Sequence, residues 1–86
     1  MTEIELPKVA LLRTLARTGE ARRRREAAGV SASELAAALG VAPSQVSLWE
    51  RGRIAPRPAR ALAWLSQLEA LTAATAEGRP PNEGAA

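Results

Sequence analysis

The chain has no cysteine, histidine, aspartate, tyrosine or phenylalanine, and a single lysine. Without cysteine there are no disulfides, no thiolate nucleophile and no zinc-finger ligand set. Without histidine the usual general base and metal ligand at neutral pH is gone. Catalysis would have to rest on Glu, Ser, Thr, Arg or Lys8, and these form no acid–base or metal-ligating constellation. The composition therefore argues against an enzyme and implies neither cofactor nor metal, and no small-molecule ligand is evident. No apolar run reaches the roughly 18–20 residues that a bilayer span requires. Met1–Glu5 lacks the layout of a signal peptide. The expectation is a cytoplasmic protein with no membrane partner, from a bacterium or its phage.

What is abundant is alanine, at twenty residues, and arginine, at eleven. Residues 17–60 hold nine arginines against four glutamates, a local excess of five positive charges. The guanidinium group forks phosphate bidentately and stacks on flat groups, so such a surface suits nucleic acid. A GC-rich coding genome would produce the same bias, so composition leaves both readings open. The length of 86 residues suits one small domain. A chain of this size buries only roughly 60–65% of its unfolded surface, so a partner surface would add useful burial.

The apolar pattern predicts helices throughout. Met1–Leu6 is mixed and expected to be loose, and Pro7 suits a first helical position. Val9, Leu11, Leu12, Leu15 and Ala16 recur at helical spacing, with Arg13 and Arg17 on the polar side. Thr18-Gly19 reads as an N-cap and a breaker, so a break is expected there; one continuous helix over residues 7–28 is the alternative. Glu20–Ala28 forms the next helix, with Gly29 past its end. Its apolar face is thin: Ala21, Ala28 and the aliphatic stem of Arg24.

Ser31–Gly52 carries most of the functional information. Ser31-x-x-Glu34 is a capping-box pattern, and Leu35, Ala36 and Leu39 form the buried stripe behind it. Gly40 permits a left-handed turn. Ala42 or Pro43 then opens a second short helix over residues 43–51, with Val46 and Trp49 facing inward beside Val41. Two prolines within Arg53–Pro58 make a loop. Ala59–Thr75 reads as a long helix with two apolar sides, one of Leu62, Leu65 and Ser66 and the other of Ala61, Trp64, Leu68, Leu71 and Thr75. One stripe covers a small domain, so the second requires a partner: either the helix around Val9–Ala16 or a second subunit. The reading is one domain over residues 1–76 with its core at 19–65, then a disordered tail at 77–86.

Two short helices joined by a glycine turn are the physical form of a helix–turn–helix, whose second helix enters the major groove. Here the sequence resembles the Cro/phage-repressor-like helix–turn–helix family, often called the XRE family. The matching residues are Arg25-Glu26-Ala27-Ala28-Gly29-Val30-Ser31, Glu34-Leu35-Ala36, Leu39-Gly40-Val41, Val46-Ser47-x-Trp49-Glu50-x-Gly52 and Pro56. They span about half the chain, and their specificity lies in the combination.

The resemblance implies an all-α, compact, lambda-repressor-like domain of about five helices, here with an added N-terminal helix and a long C-terminal one. It implies a double-stranded DNA partner, nucleoid association, a homodimer and a role in transcription, most simply repression. Carried onto this chain, Arg25 and Glu50 form a structural ion pair. Pro43, Ser44, Gln45, Ser47 and Leu48 face base edges, where Gln suits adenine and Leu a thymine methyl. Arg22, Ser31, Ser33, Arg51, Arg53 and Arg57 meet phosphate, which positions the protein without reading sequence. The plainer readings are helix capping for Ser44 and solvated surface for Ser47 and the arginines. The dimer is expected on Val9, Leu12 and Ala16, on Trp64, Leu68 and Leu71, or on both. Two departures stand out: Arg24 replaces a large apolar residue, and Ala32 replaces a glutamine that would bond phosphate. A different class of reading keeps the fold as a protein-interaction module, antitoxin-like or a phage-encoded regulatory subunit.

Overall fold

The computed structural model describes residues 5–78. Within them the chain is all-helical, in the order α1 Leu6–Thr18, α2 Glu20–Ala27, α3 Ala32–Leu39, α4 Pro43–Glu50 and α5 Pro58–Gly78. Residues 7–28 are two helices, because Gly19 adopts a left-handed conformation at φ 87° and ends α1. Gly19 rather than Thr18 precedes α2. The Thr18 hydroxyl instead donates back to the carbonyls of Thr14 and Leu15, which turns its side chain toward α1, away from the start of α2.

Local chemistry sets the helix–turn–helix. The Ser31 Oγ accepts from the Glu34 N–H at 3.0 Å, and the Glu34 carboxylate accepts from the Ser31 N–H at 2.8 Å, closing both halves of the capping box. At the other end of α3, Gly40 sits at φ 72°, where a Cβ would be strained. The Val41 N–H then reaches back to the Ala36 carbonyl at 3.0 Å and turns the chain toward α4. Pro43 takes the first position of α4, where its missing N–H has no intrahelical partner to lose.

One core joins all five helices: Val9, Leu12, Leu15 and Ala16 from α1, Ala21 from α2, Leu35, Ala36 and Leu39 from α3, Val46 and Trp49 from α4, and Ala61, Trp64, Leu65 and Leu68 from α5. The two tryptophans pack with ring centroids 5.5 Å apart at a tilt of 31°, a geometry worth about 0.5–1.5 kcal/mol beyond the area it buries. Arg24 is half-buried and paired to Glu20 at 3.2 Å, so it adds its stem but no large apolar group.

Several expectations are corrected. Leu12, Trp64 and Leu68 are fully buried, and Val9 and Ala16 retain only 2% and 4% exposure within a single chain. Within a single chain they present no exposed face, because α1 covers the second apolar side of α5. Leu71 alone of that set remains half-buried. Ser66 and Thr75 are exposed, so neither belongs to an apolar side. Leu6 lies within α1 rather than in a loose segment. The long helix runs to Gly78, taking in the first two residues of the expected tail; the rest of that tail lies outside the described residues. The second helix of the motif ends at Glu50, with Arg51 as its cap residue.

Candidate nucleic-acid interface

The site is built on α4, and α4 is held from below. Val46 and Trp49 are buried under it at 0% and 3% exposure. Behind its last turn Arg25 and Glu50 make a two-pronged pair: Nε donates to Oε2 at 2.7 Å and Nη2 to Oε1 at 3.0 Å. The remaining prong, Nη1, donates to the Val30 carbonyl at 2.8 Å. One guanidinium thus ties α2, the turn before α3 and the end of α4 together. The two side chains are 9% and 5% exposed, so the pair is buried as well as bidentate. The bonds from Glu50 push the Arg25 pKa still higher, outweighing the desolvation that opposes it, and Arg25 stays charged at any ordinary pH.

This anchoring leaves one side of α4 free. Pro43 and Ser44 are exposed, and Gln45, Ser47 and Leu48 are half-buried. Ala42, the residue before the helix, supplies no side-chain cap; Pro43 has no N–H and the Gln45 N–H turns back to the Ala42 carbonyl at 2.9 Å, so the Ser44 N–H stands at the positive end of the helix dipole. Two clefts flank the helix. On one side a cleft of about 360 Å³ is lined by Gln45, Trp49, Ile54, Arg57 and Arg60 among others. On the other a cleft of about 240 Å³ is lined by Arg22, Arg25, Ala32, Ser47, Glu50 and Arg51. The expected contact residues are therefore split: Gln45 with Arg57 on one flank, Ser47 with Arg22 and Arg51 on the other. Ala32, with its short side chain, lines this second cleft.

The arginines divide into two groups. On α2 each has a glutamate: Arg22–Glu26 at 3.0 Å, Arg23–Glu20 at 3.0 Å, Arg24–Glu20 at 3.2 Å and Arg25–Glu50. Hydrogen bonds from Arg24 and then Arg23 hold the Glu20 carboxyl below its usual pKa. Arg51, Arg53 and Arg57 are exposed, and among the described residues none has a carboxylate within 4.0 Å. They are among the exposed cations left without a carboxylate partner. Arg22 is exposed but already paired. Such surface pairs are worth only about 0–1 kcal/mol, so phosphate competes for it on near-equal terms. Ser31 and Ser33 are also exposed at the start of α3; the Ser31 oxygen serves the capping box, while its hydroxyl proton remains available.

Two positioning residues had no signal in the sequence beyond their charge. Arg13 of α1 donates from Nη2 to the Pro56 carbonyl at 2.7 Å, across 43 residues. It fixes the loop that carries Arg53 and Arg57. Arg60 of α5 donates from Nη1 to the Leu39 carbonyl and closes the free end of α3. Neither partner is a side chain, so no complementary residue type could have marked the bond.

A helix-turn-helix family model matches residues 22–72, which covers α2 to the greater part of α5 and leaves α1 outside. No curated protein matches the chain, and no solved structure matches it.

Proposed function

The chain belongs to the Cro/repressor-like (XRE) helix–turn–helix family of DNA-binding regulators, and from that premise we propose that it is a sequence-specific transcriptional repressor that lays α4 in the major groove as a homodimer. The observation that carries this reading is the free side of α4. Ser44, Gln45, Ser47 and Leu48 are held on a helix locked by the Arg25–Glu50 pair, with unpaired Arg51, Arg53 and Arg57 just beyond its end. Base edges are read by the first group and phosphates by the second, the division of labour seen where a helix enters the groove. Arg22, Ser31 and Ser33 extend the phosphate contacts across the α2–α3 side.

Two copies related by a two-fold axis would read half-sites about 34 Å apart. The buried leucines of α1 and α5 are unavailable for that contact. Among the described residues the large apolar side chains most exposed are Leu6 and Leu11 of α1, at 65% and 47%, and Ile54, at 46%, with Leu71 half-buried, and the dimer would use surface of this kind.

Selection of bound duplexes from a random DNA pool tests the reading. A single enriched motif with two-fold symmetry is expected. Ser44→Ala with Gln45→Ala should relax the preference at specific base pairs, each worth about 1–3 kcal/mol. Arg53→Ala should weaken all sequences alike. Failure to enrich any sequence, with no binding even at low salt, would sink the proposal and favour a protein-interaction module on the same fold.

A further inference from the structure

The family match begins at residue 22, so α1 lies outside the matched segment, and its last turn ends beside Arg51 and Arg53. A Cβ built on Gly52 would lie 3.6 Å from the Cα of Arg17 and 4.0 Å from its Cγ. Gly52, at φ 73°, thus supplies both the left-handed turn that ends α4 and the bare backbone on which the stem of Arg17 rests. Its two chain neighbours are Arg51 and Arg53. Arg17 is exposed, and among the described residues no carboxylate lies within 4.0 Å of it. Among the described residues its side chain makes one long bond, 3.5 Å from Nη2 to the Thr14 hydroxyl. This contrasts with α2, where every arginine is matched to a glutamate.

The placement is fixed rather than incidental. Val9, Leu12 and Ala16 seat α1 in the core. Arg13, one turn before Arg17, bonds the Pro56 carbonyl. Arg13 and Arg17 together line a cleft of about 150 Å³ with Trp49, Gly52, Ile54 and Pro56. An arginine held on a seated helix loses less freedom on meeting phosphate than one on a free arm.

We propose that Arg17 is a further DNA-phosphate-binding residue, which α1 adds to the Arg51/Arg53 cluster. The inference rests on the DNA-binding reading above and extends the footprint beyond the family core. Each phosphate neutralised contributes about 0.9 to the slope of log K against log salt concentration. Loss of one contact therefore narrows the affinity change over a fourfold salt range by about 3–4-fold.

The test is fluorescence anisotropy of the full chain on a labelled mixed-sequence duplex, titrated at several salt concentrations. Four proteins are compared: the parent, Arg17→Gln, Arg53→Gln and Arg23→Gln. Arg23→Gln removes the same charge from an exposed but glutamate-paired site. Expected is a slope reduced by about 0.9 in Arg17→Gln and Arg53→Gln, and by clearly less in Arg23→Gln. Arg17 also sits in the last turn of α1, where a cation suits the helix dipole. A purely structural role of that kind would lower the thermal midpoint and leave the salt slope alone. An unchanged slope in Arg17→Gln, or an equal drop in Arg23→Gln, overturns the inference while leaving DNA binding intact. A parent that binds no duplex overturns both.

Discussion

Replacing Glu50 by glutamine probes the link on which the interface depends. The amide keeps one acceptor for Arg25 but turns an N–H₂ donor toward a guanidinium that can only donate. Arg25 keeps its bond to the Val30 carbonyl at 2.8 Å. Its nearest remaining carboxylate is Glu26, at 4.0 Å and half-exposed. With side-chain exposures of 9% and 5%, water cannot take over the lost solvation. Removing one partner of a buried pair costs about 3–5 kcal/mol, and the alternative offered by Glu26 favours the lower end. A domain of this size has only about 4–13 kcal/mol in total. A loss near 3 kcal/mol should lower the thermal midpoint by about 12–24 °C. Circular-dichroism melts and urea titrations of the parent, Glu50→Gln, Arg25→Met and Arg25→Met/Glu50→Leu measure this directly. The double variant should recover much of the loss, since it leaves no orphaned charge. A Glu50→Gln loss below about 1 kcal/mol, or one that vanishes in high salt, would mean that the pair behaves as an exposed one and that α4 is held by other contacts.

Leu68→Ala should cost about 2–5 kcal/mol and lower the thermal midpoint without changing the association state, because the side chain is buried within one chain; a shift confined to the self-association equilibrium, seen by analytical ultracentrifugation, would contradict that placement. Ser31→Ala removes one arm of the capping box and should destabilise by about 0.5–2 kcal/mol in urea, with any weakening of DNA binding reporting the separate phosphate role of its hydroxyl. Glu20, whose pKa is depressed by Arg24 and Arg23, contributes stability that is present above its ordinary value of 4.5 and is lost as pH falls through the depressed folded value. Glu20→Gln should therefore flatten the acid limb of urea midpoint against pH below about 4.5, and an unchanged acid limb would remove Glu20 from that account.

Much of the local architecture was legible because its causes lie within a few residues. The Ser31–Glu34 box, the glycine turns and Pro43 at the start of α4 each involve groups no more than five positions apart. The α4 residues on the free side followed from the same periodicity, with Val46 and Trp49 subtracted as core. The Arg25–Glu50 pair, 25 residues apart, came through family resemblance, since spacing alone does not match a given arginine to a given glutamate. Resemblance had no purchase on α1, so Arg13 and Arg17 appeared only as the polar side of a helix.

The sequence by itself determined an all-helical chain, the turn between α3 and α4 and the cationic character of the surface around α4, because propensity, capping and charge act over a few bonds' distance; the break at Gly19 was one of two readings until the structure decided it. Tertiary structure alone decided what occupies the second apolar side of α5. Periodicity measures the width of a hydrophobic face but says nothing of its occupant, and the chain closes that face with its own α1 before any partner can. It also decided which arginines are open to phosphate. Pairing on α2 and solvent exposure around Gly52 depend on where the backbone carries each guanidinium, and residue type records only that the charge is there.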